Sequence, residues 1–411
     1  MRFSSLSIIC LGGMSLALAG CGQPPEPLFA PSAKATVLVP AAQSLVSESL
    51  VENFGTPNKL VAWQQFPINY GSAEPTASDA GRHDEGWRLR EGRNLYMVHC
   101  LHCHGVAGDG AGSTSRFLNP RPRDYRQGVF KFKSTAGGMK PSTADLHRTL
   151  VEGIPGTYMP SFVLLGQEQI GLLADYVKWL SIRGEFEEKL AGGMGKAGAT
   201  SEELRKSYKD KRESDKSITY EAVENEILDD IRKELPETLT ERAQDLTDDW
   251  LAGENPENAT FPKAKRVLPD AASIARGREL FLSKDVKCSD CHGPTGRGDG
   301  PMTEQFIKIT DSDRSYDTPG FRDFWGQPIV PRNLTRGVYR FGRRPIDLYR
   351  KVKNGIHGTP MPAISNRVTE EQIWDVVNFV MSLPFGGKES ASPGEADRDD
   401  GEAKVAEAAG S

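Results

Sequence analysis

Apolar residues recur at helical spacing along most of the chain. Residues 167–181 carry Ile170, Leu173, Tyr176, Val177 and Leu180 on one stripe, and residues 369–383 carry Ile373, Val376, Val377, Phe379, Val380 and Leu383. Both stretches predict amphipathic helices. The runs led by Gly92-Arg93-Asn94-Leu95-Tyr96 and Gly277-Arg278-Glu279-Leu280-Phe281 predict two more. Leu45, Val46, Leu50 and Val51 predict a short helix over 41–53. Between these blocks, residues 184–270 are strongly charged, yet helices are expected over 201–213 and 218–235. In the second of these Val223, Ile227, Ile231 and Leu235 recur every fourth position, and Pro236 is expected to stop the helix. A further helix is expected over 237–251. The narrow apolar stripe favours an ordered connector lying on a surface over a flexible linker. The expected class is mainly α.

The pattern repeats. Pro122-Arg123-Asp124 leading to Gly128-Val129-Phe130-Lys131-Phe132 matches Pro331-Arg332-Asn333 leading to Gly337-Val338-Tyr339-Arg340-Phe341. Asp145-Leu146 to Gly153-Ile154 matches Asp347-Leu348 to Gly355-Ile356, and Glu168-Gln169-Ile170 matches Glu371-Gln372-Ile373. These blocks are two copies of one domain. The second copy has a longer segment after its first motif, about 302–328, rich in Asp, Phe and Trp.

Each copy opens on the same chemistry: Cys100-Leu101-His102-Cys103-His104 and Cys288-Ser289-Asp290-Cys291-His292. In a CxxCH run two thiols can add across the vinyl groups of one haem while the adjacent His reaches the iron. A bare CxxC also serves zinc sites and redox disulfides. The immediate His, present twice, points to two covalent haem c groups.

With these residues in place the chain resembles tandem class I cytochromes c over 86–183 and 271–384. The resemblance implies a small all-α fold around each haem, with Gly92 and Gly277 letting the first helix of each copy cross the last. It also implies a methionine as second axial ligand. Met159 in Gly156-Thr157-Tyr158-Met159-Pro160 and Met361 in Gly358-Thr359-Pro360-Met361-Pro362 occupy that place, ahead of the terminal helices. Met139 and Met302 have no repeated context, nor do His147 and His357; His99 and His102 are expected to face outward. In the family a proline carbonyl orients the proximal His, so Pro122 and Pro331 are the expected acceptors. Arg123 and Arg332 are expected at haem propionates.

The N-terminus adds location. Residues 6–19 form an apolar run too short to span a membrane comfortably, and Leu18-Ala19-Gly20-Cys21 resembles a lipoprotein signal. Cleavage after residue 20 would leave Cys21 for lipid attachment, with Cys10 discarded and no cysteine pair left for a structural disulfide. Residues 21–85 are then a tether and extension: 22–40, rich in Pro and Ala, lift the domain off the membrane. Residues 54–70, with Trp63, Phe66 and Tyr70, pack on the first haem domain, and 72–85 form a loop. The tail 385–411 is Gly-, Ala- and acid-rich and expected to be disordered. A net charge of -5 and the lack of a basic arm argue against nucleic acid.

These features predict a membrane-tethered carrier of single electrons on the periplasmic side of a bacterial membrane. Its expected partners are a quinol-oxidising complex and a terminal oxidase, or it is a fixed subunit of one of them. A di-haem enzyme, such as a peroxidase or small-molecule dehydrogenase, is the rival, and needs one iron with an open site. A third reading is a haem-bearing interaction module that docks through its connector.

Overall fold

A computed structural model describes residues 28–71, 86–309 and 312–386. The expected signal peptide, Cys21, the loop at 72–85 and nearly all of the acidic tail lie outside the described residues. Twelve α-helices carry the fold there: α1 (Ala33–Thr36), α2 (Pro40–Phe54), α3 (Trp87–His99), α4 (Leu101–His104), α5 (Thr143–Glu152), α6 (Gly166–Met194), α7 (Ser201–Ser214), α8 (Tyr220–Glu254), α9 (Ala271–Leu282), α10 (Cys288–His292), α11 (Pro345–Asn354) and α12 (Glu370–Gly386). The helices α3, α4, α5 and α6 form the first copy; α9 to α12 form the second. A two-stranded antiparallel ribbon, β1 (Phe321–Arg322) with β2 (Pro328–Ile329), sits in the segment unique to the second copy. None of the described helices is long and apolar enough to cross a membrane.

The first and last helices of each copy cross at a glycine, as expected. A Cβ at Gly92 would run into the Leu172 carbonyl and the Tyr176 side chain on α6. One at Gly277 would run into the Asp375 carbonyl and Phe379 on α12. Tyr176 and Phe379, matched by the repeat, thus close equivalent crossings. Tyr96 meets Tyr176 at 5.1 Å between ring centres, and Phe281 meets Phe379 at 5.3 Å, both edge-on.

The terminal helix of the first copy is longer than its apolar stripe predicts. It runs to Met194, past the expected end at 181 and through the expected boundary at 183. Its second half is largely buried, with apolar residues such as Ile182, Phe186 and Leu190 and charged ones that find partners. Arg183 pairs with Glu187 one turn on, and Glu185 takes Lys140 and the Trp250 indole N–H. A buried charge is tolerable when paired in this way.

Residues 28–40 are not a free tether. Phe29, Ala35 and Leu38 are buried against α6; Phe29 lies 5.9 Å from Trp179, and Leu38 bridges to Thr200. The extension that follows packs as expected: Phe54, Trp63, Phe66, Trp179 and Phe186 form one aromatic cluster.

The connector is ordered, and Pro236 does not stop its helix. α8 runs through it to Glu254. Proline removes one amide donor and frees the carbonyl four residues earlier. Pro236 and Arg232 are both exposed, so water can take the missing donor's place. Val223, Leu228 and Ile231 are buried before the proline, and Ala243, Leu246 and Trp250 after it. The connector then threads between the copies. Thr260 donates its N–H to the Ser134 carbonyl of the first and accepts at its own carbonyl from Arg350 of the second.

The two copies also meet directly. Arg148 on α5 makes a two-pronged pair with Asp347 on α11, at 2.8 and 2.9 Å, and covers the Phe341 ring. Phe132 stacks on Phe341, its partner in the repeat, with centres 5.6 Å apart. Asp323, beside the ribbon, receives Arg123 and Lys131 from the first copy.

Candidate haem sites

Both CxxCH runs are a single helical turn presented by the preceding helix, and both are braced identically. The His104 carbonyl accepts from Gly110 N–H at 2.9 Å and that of His292 from Gly298 N–H at 2.8 Å. The Cys103 and Cys291 carbonyls accept from Gly112 and Gly300.

The histidines of the two CxxCH runs are oriented by backbone. Nδ1 of His104 lies 3.2 Å from the Arg123 carbonyl oxygen, and Nδ1 of His292 lies 3.1 Å from that of Arg332. A carbonyl only accepts, so each Nδ1 carries the proton and each Nε2 is left with a lone pair for a metal. The acceptors are therefore one residue beyond Pro122 and Pro331, the ones expected. In the first copy the Pro122 carbonyl is turned toward Gly110 instead, and in the second the Pro331 carbonyl toward Gly298. Burial pushes the His104 imidazole down to about 4, against the Arg123 carbonyl, which favours the charged form. It lowers His292 in the same sense. Both rings are thus neutral at ordinary pH, the form that ligates. Tyr125 stacks on His104 with centres 4.7 Å apart.

The methionine loops match bond for bond. Ile154 N–H donates to the Met159 carbonyl at 3.0 Å, and Ile356 N–H to the Met361 carbonyl at 3.1 Å. Thr157 and Thr359 each donate a hydroxyl to the Ile154 or Ile356 carbonyl at 2.8 Å, and accept from the Met159 or Met361 N–H. Each loop leaves its helix at a glycine with positive φ, 64° at Gly153 and 69° at Gly355, where a side chain would meet the backbone of the methionine loop.

In the second copy Cys288, Cys291, His292 and Met361 all line one cavity of about 420 Å³, with apolar walls from residues such as Leu348, Ile364 and Val376. Two thiols, a neutral imidazole and a thioether around an apolar cavity suit a covalently attached haem. Burial raises the Cys288 thiol to about 11 and the Cys100 thiol to about 12, a sign of the same apolar surroundings. Among the described residues no three or more of His, Cys, Asp and Glu converge as metal ligands.

The histidines set aside from the sequence are elsewhere. His99 and His102 are exposed, and His357 is at the contact between copies, its Nδ1 unpartnered. The arginines expected at haem propionates also have protein partners, and Arg332 lines the cavity of the second copy. Arg123 bonds to Asp323 at 3.4 Å and lies 3.8 Å over Trp325; Arg332 bonds to the Val338 carbonyl and reaches Gly156 in the other copy's methionine loop. Sequence reasoning missed Tyr125, Lys131 and Arg340. The last two were visible as one matched position of the repeat, at Gly128–Phe132 and Gly337–Phe341.

Both copies match a known family. The family model for Cytochrome c matches twice, at residues 89–181 and 274–384. Among solved structures, the chain is similar to one from the "reducing HAO-like protein complex" of Kuenenia stuttgartiensis, at 24% identity and a TM-score of 0.48; the match covers 71% of this chain and 95% of that one. No curated protein matches the sequence. The chain thus carries two cytochrome c domains in tandem, with one covalently bound haem c for each.

Proposed function

We propose that this protein is a di-haem c-type cytochrome that carries single electrons, with both irons closed by a histidine and a methionine. Cys100 and Cys103 hold the first haem and Cys288 and Cys291 the second. His104 with Met159, and His292 with Met361, are the axial pairs. A bound haem c supplies a one-electron couple between ferric and ferrous iron, and a thioether ligand raises its potential relative to a second histidine.

The chain's own residues hold that couple in place. The Arg123 and Arg332 carbonyls fix the tautomer and plane of His104 and His292. Thr157 and Thr359 pin the methionine loops. The observation that carries this reading is the identity of the two loops, hydrogen bond for hydrogen bond, around Met159 and Met361. A pair of sites built alike supports a carrier over a peroxidase, which pairs one reactive haem with a different electron-transfer haem.

The lipoprotein-like sequence before Cys21 supports attachment to the outer face of a bacterial membrane by an N-terminal lipid. In that place a quinol-oxidising complex would supply electrons and a terminal oxidase would accept them, with this chain as free carrier or fixed subunit.

Single substitutions test the axial assignment. Ferric haem with His/Met ligation has a weak long-wavelength absorption band. Met159→Ala and Met361→Ala are each expected to remove half of that band from the purified protein, and the double variant all of it. A substitution that leaves the band whole removes that methionine from the iron.

A further inference from the structure

The cavity of the second domain is not closed by that domain alone. Lys131 and Phe132 of the first domain are part of its wall, together with Arg340 of the second. The Lys131 side chain is largely buried, 6% exposed. In the repeat Lys131 and Arg340 are the same position, so both domains turn one equivalent cation to one cavity.

Charge there does not balance. Lys131, Arg332, Arg340 and Lys351 line the cavity with Asp290 as the acidic side chain of its wall, and Asp323 is the carboxylate that meets Arg123 and Lys131. The charged group nearest in effect to Arg340 is Arg332, another cation, and the Arg340 Nε is buried with no hydrogen-bond partner among the described residues. Burial drives Lys131 down to about 8 even with Asp323 beside it. Buried cations in excess call for anions within reach of the same cavity. A haem carries two carboxylate side chains.

We propose that Lys131 of the first domain completes the haem site of the second, its ammonium and the Arg340 guanidinium taking the carboxylates of the second haem. This rests on the reading that His292 and Met361 hold a haem in that cavity. Its consequence is that the second haem is bound by both domains, and that its potential depends on a residue outside its own fold. A cation near the haem favours the reduced form, so its removal lowers the midpoint.

The test is a redox titration of the full-length haem-loaded protein, read as two absorbance waves. Met361→Ala first identifies the wave of the second haem; if it moves neither wave, the axial reading fails, whatever Lys131 does. Lys131→Met is then expected to lower that wave by about 59 mV or more, a tenfold change in the ferrous-to-ferric ratio. Lys131→Arg is expected to keep it. Asp323→Asn breaks the bridge between domains while leaving the ammonium, and is expected to leave the wave in place or raise it. A second-haem midpoint that stays unchanged in Lys131→Met, or falls equally in Asp323→Asn, would overturn the proposal; the latter result makes Lys131 a structural bridge only.

Discussion

Asp347→Ala is expected to destabilise the protein by about 3–5 kcal/mol, because it removes one side of a buried ion pair and strands the other. The Asp347 side chain is fully buried and accepts two hydrogen bonds from Arg148 across the domain contact and three from Arg344, the cap of its own helix, one of them from the backbone N–H. Without it, Arg148 is left over Phe341 with Glu152 as its remaining charged partner, itself 41% exposed. The loss falls on the contact between domains. Thermal unfolding followed by haem absorbance is expected to split into two transitions, or to separate further if already split. Acid does the same to the unmodified protein. Burial would raise the Asp347 carboxyl, but Arg344 and Arg148 outweigh it and hold it below the usual range. A carboxyl depressed on folding stabilises above its unfolded value of about 4 and ceases to do so as pH falls through the lower folded value. Asp347→Ala is therefore expected to flatten that part of the stability profile. Equal loss of stability at pH 7 and at pH 2 would show that the charge is not what holds the contact.

Gly277→Val is expected to cost about 3 kcal/mol, at the upper end of what overpacking does in a close-packed site, and to act on the second domain alone. The residue sits where α9 crosses α12, and any Cβ there meets the Asp375 carbonyl and Phe379. Neither is a flexible side-chain end that could swing away, so the helices must part. Phe281, which shares the crossing with Phe379, also lies 6.4 Å from His292, so the proximal histidine is disturbed with it. The second haem's absorbance is expected to melt at lower temperature while the first is little changed. Gly92→Val is expected to invert the pattern through the Leu172 carbonyl. Unchanged melting in both would remove the crossing from the account.

The matched blocks of the repeat made the sites legible. The paired CxxCH runs and the paired methionines before proline take matched geometry in the two copies, and the paired glycines sit at the helix crossings the sequence implied. They could be read because each is a local pattern that occurs twice. What could not be read was how charge would be neutralised over distance. Arg183, Glu185 and Glu187 look like the start of a solvated linker, yet they lie inside α6, paired with one another, with Lys140 and with Trp250. Pro236 carries a strong local stop signal that exposure to water overrode. The shift of the histidine's acceptor from Pro122 to Arg123 is a matter of which carbonyl turns inward, and residue type does not encode that. Residues 28–40 look like a spacer by composition, but Phe29 and Leu38 are enough to seat them on α6.

The spin state of the unmodified ferric protein, read by electron paramagnetic resonance before and after addition of hydrogen peroxide, tests the central claim most directly. Two haems each closed by histidine and methionine predict low-spin iron at both, with no change on adding peroxide beyond slow bleaching. A high-spin signal from one haem, or a rapid spectral change with peroxide at one of them, would mean an open iron, and the protein would then be a redox enzyme with a carrier haem attached.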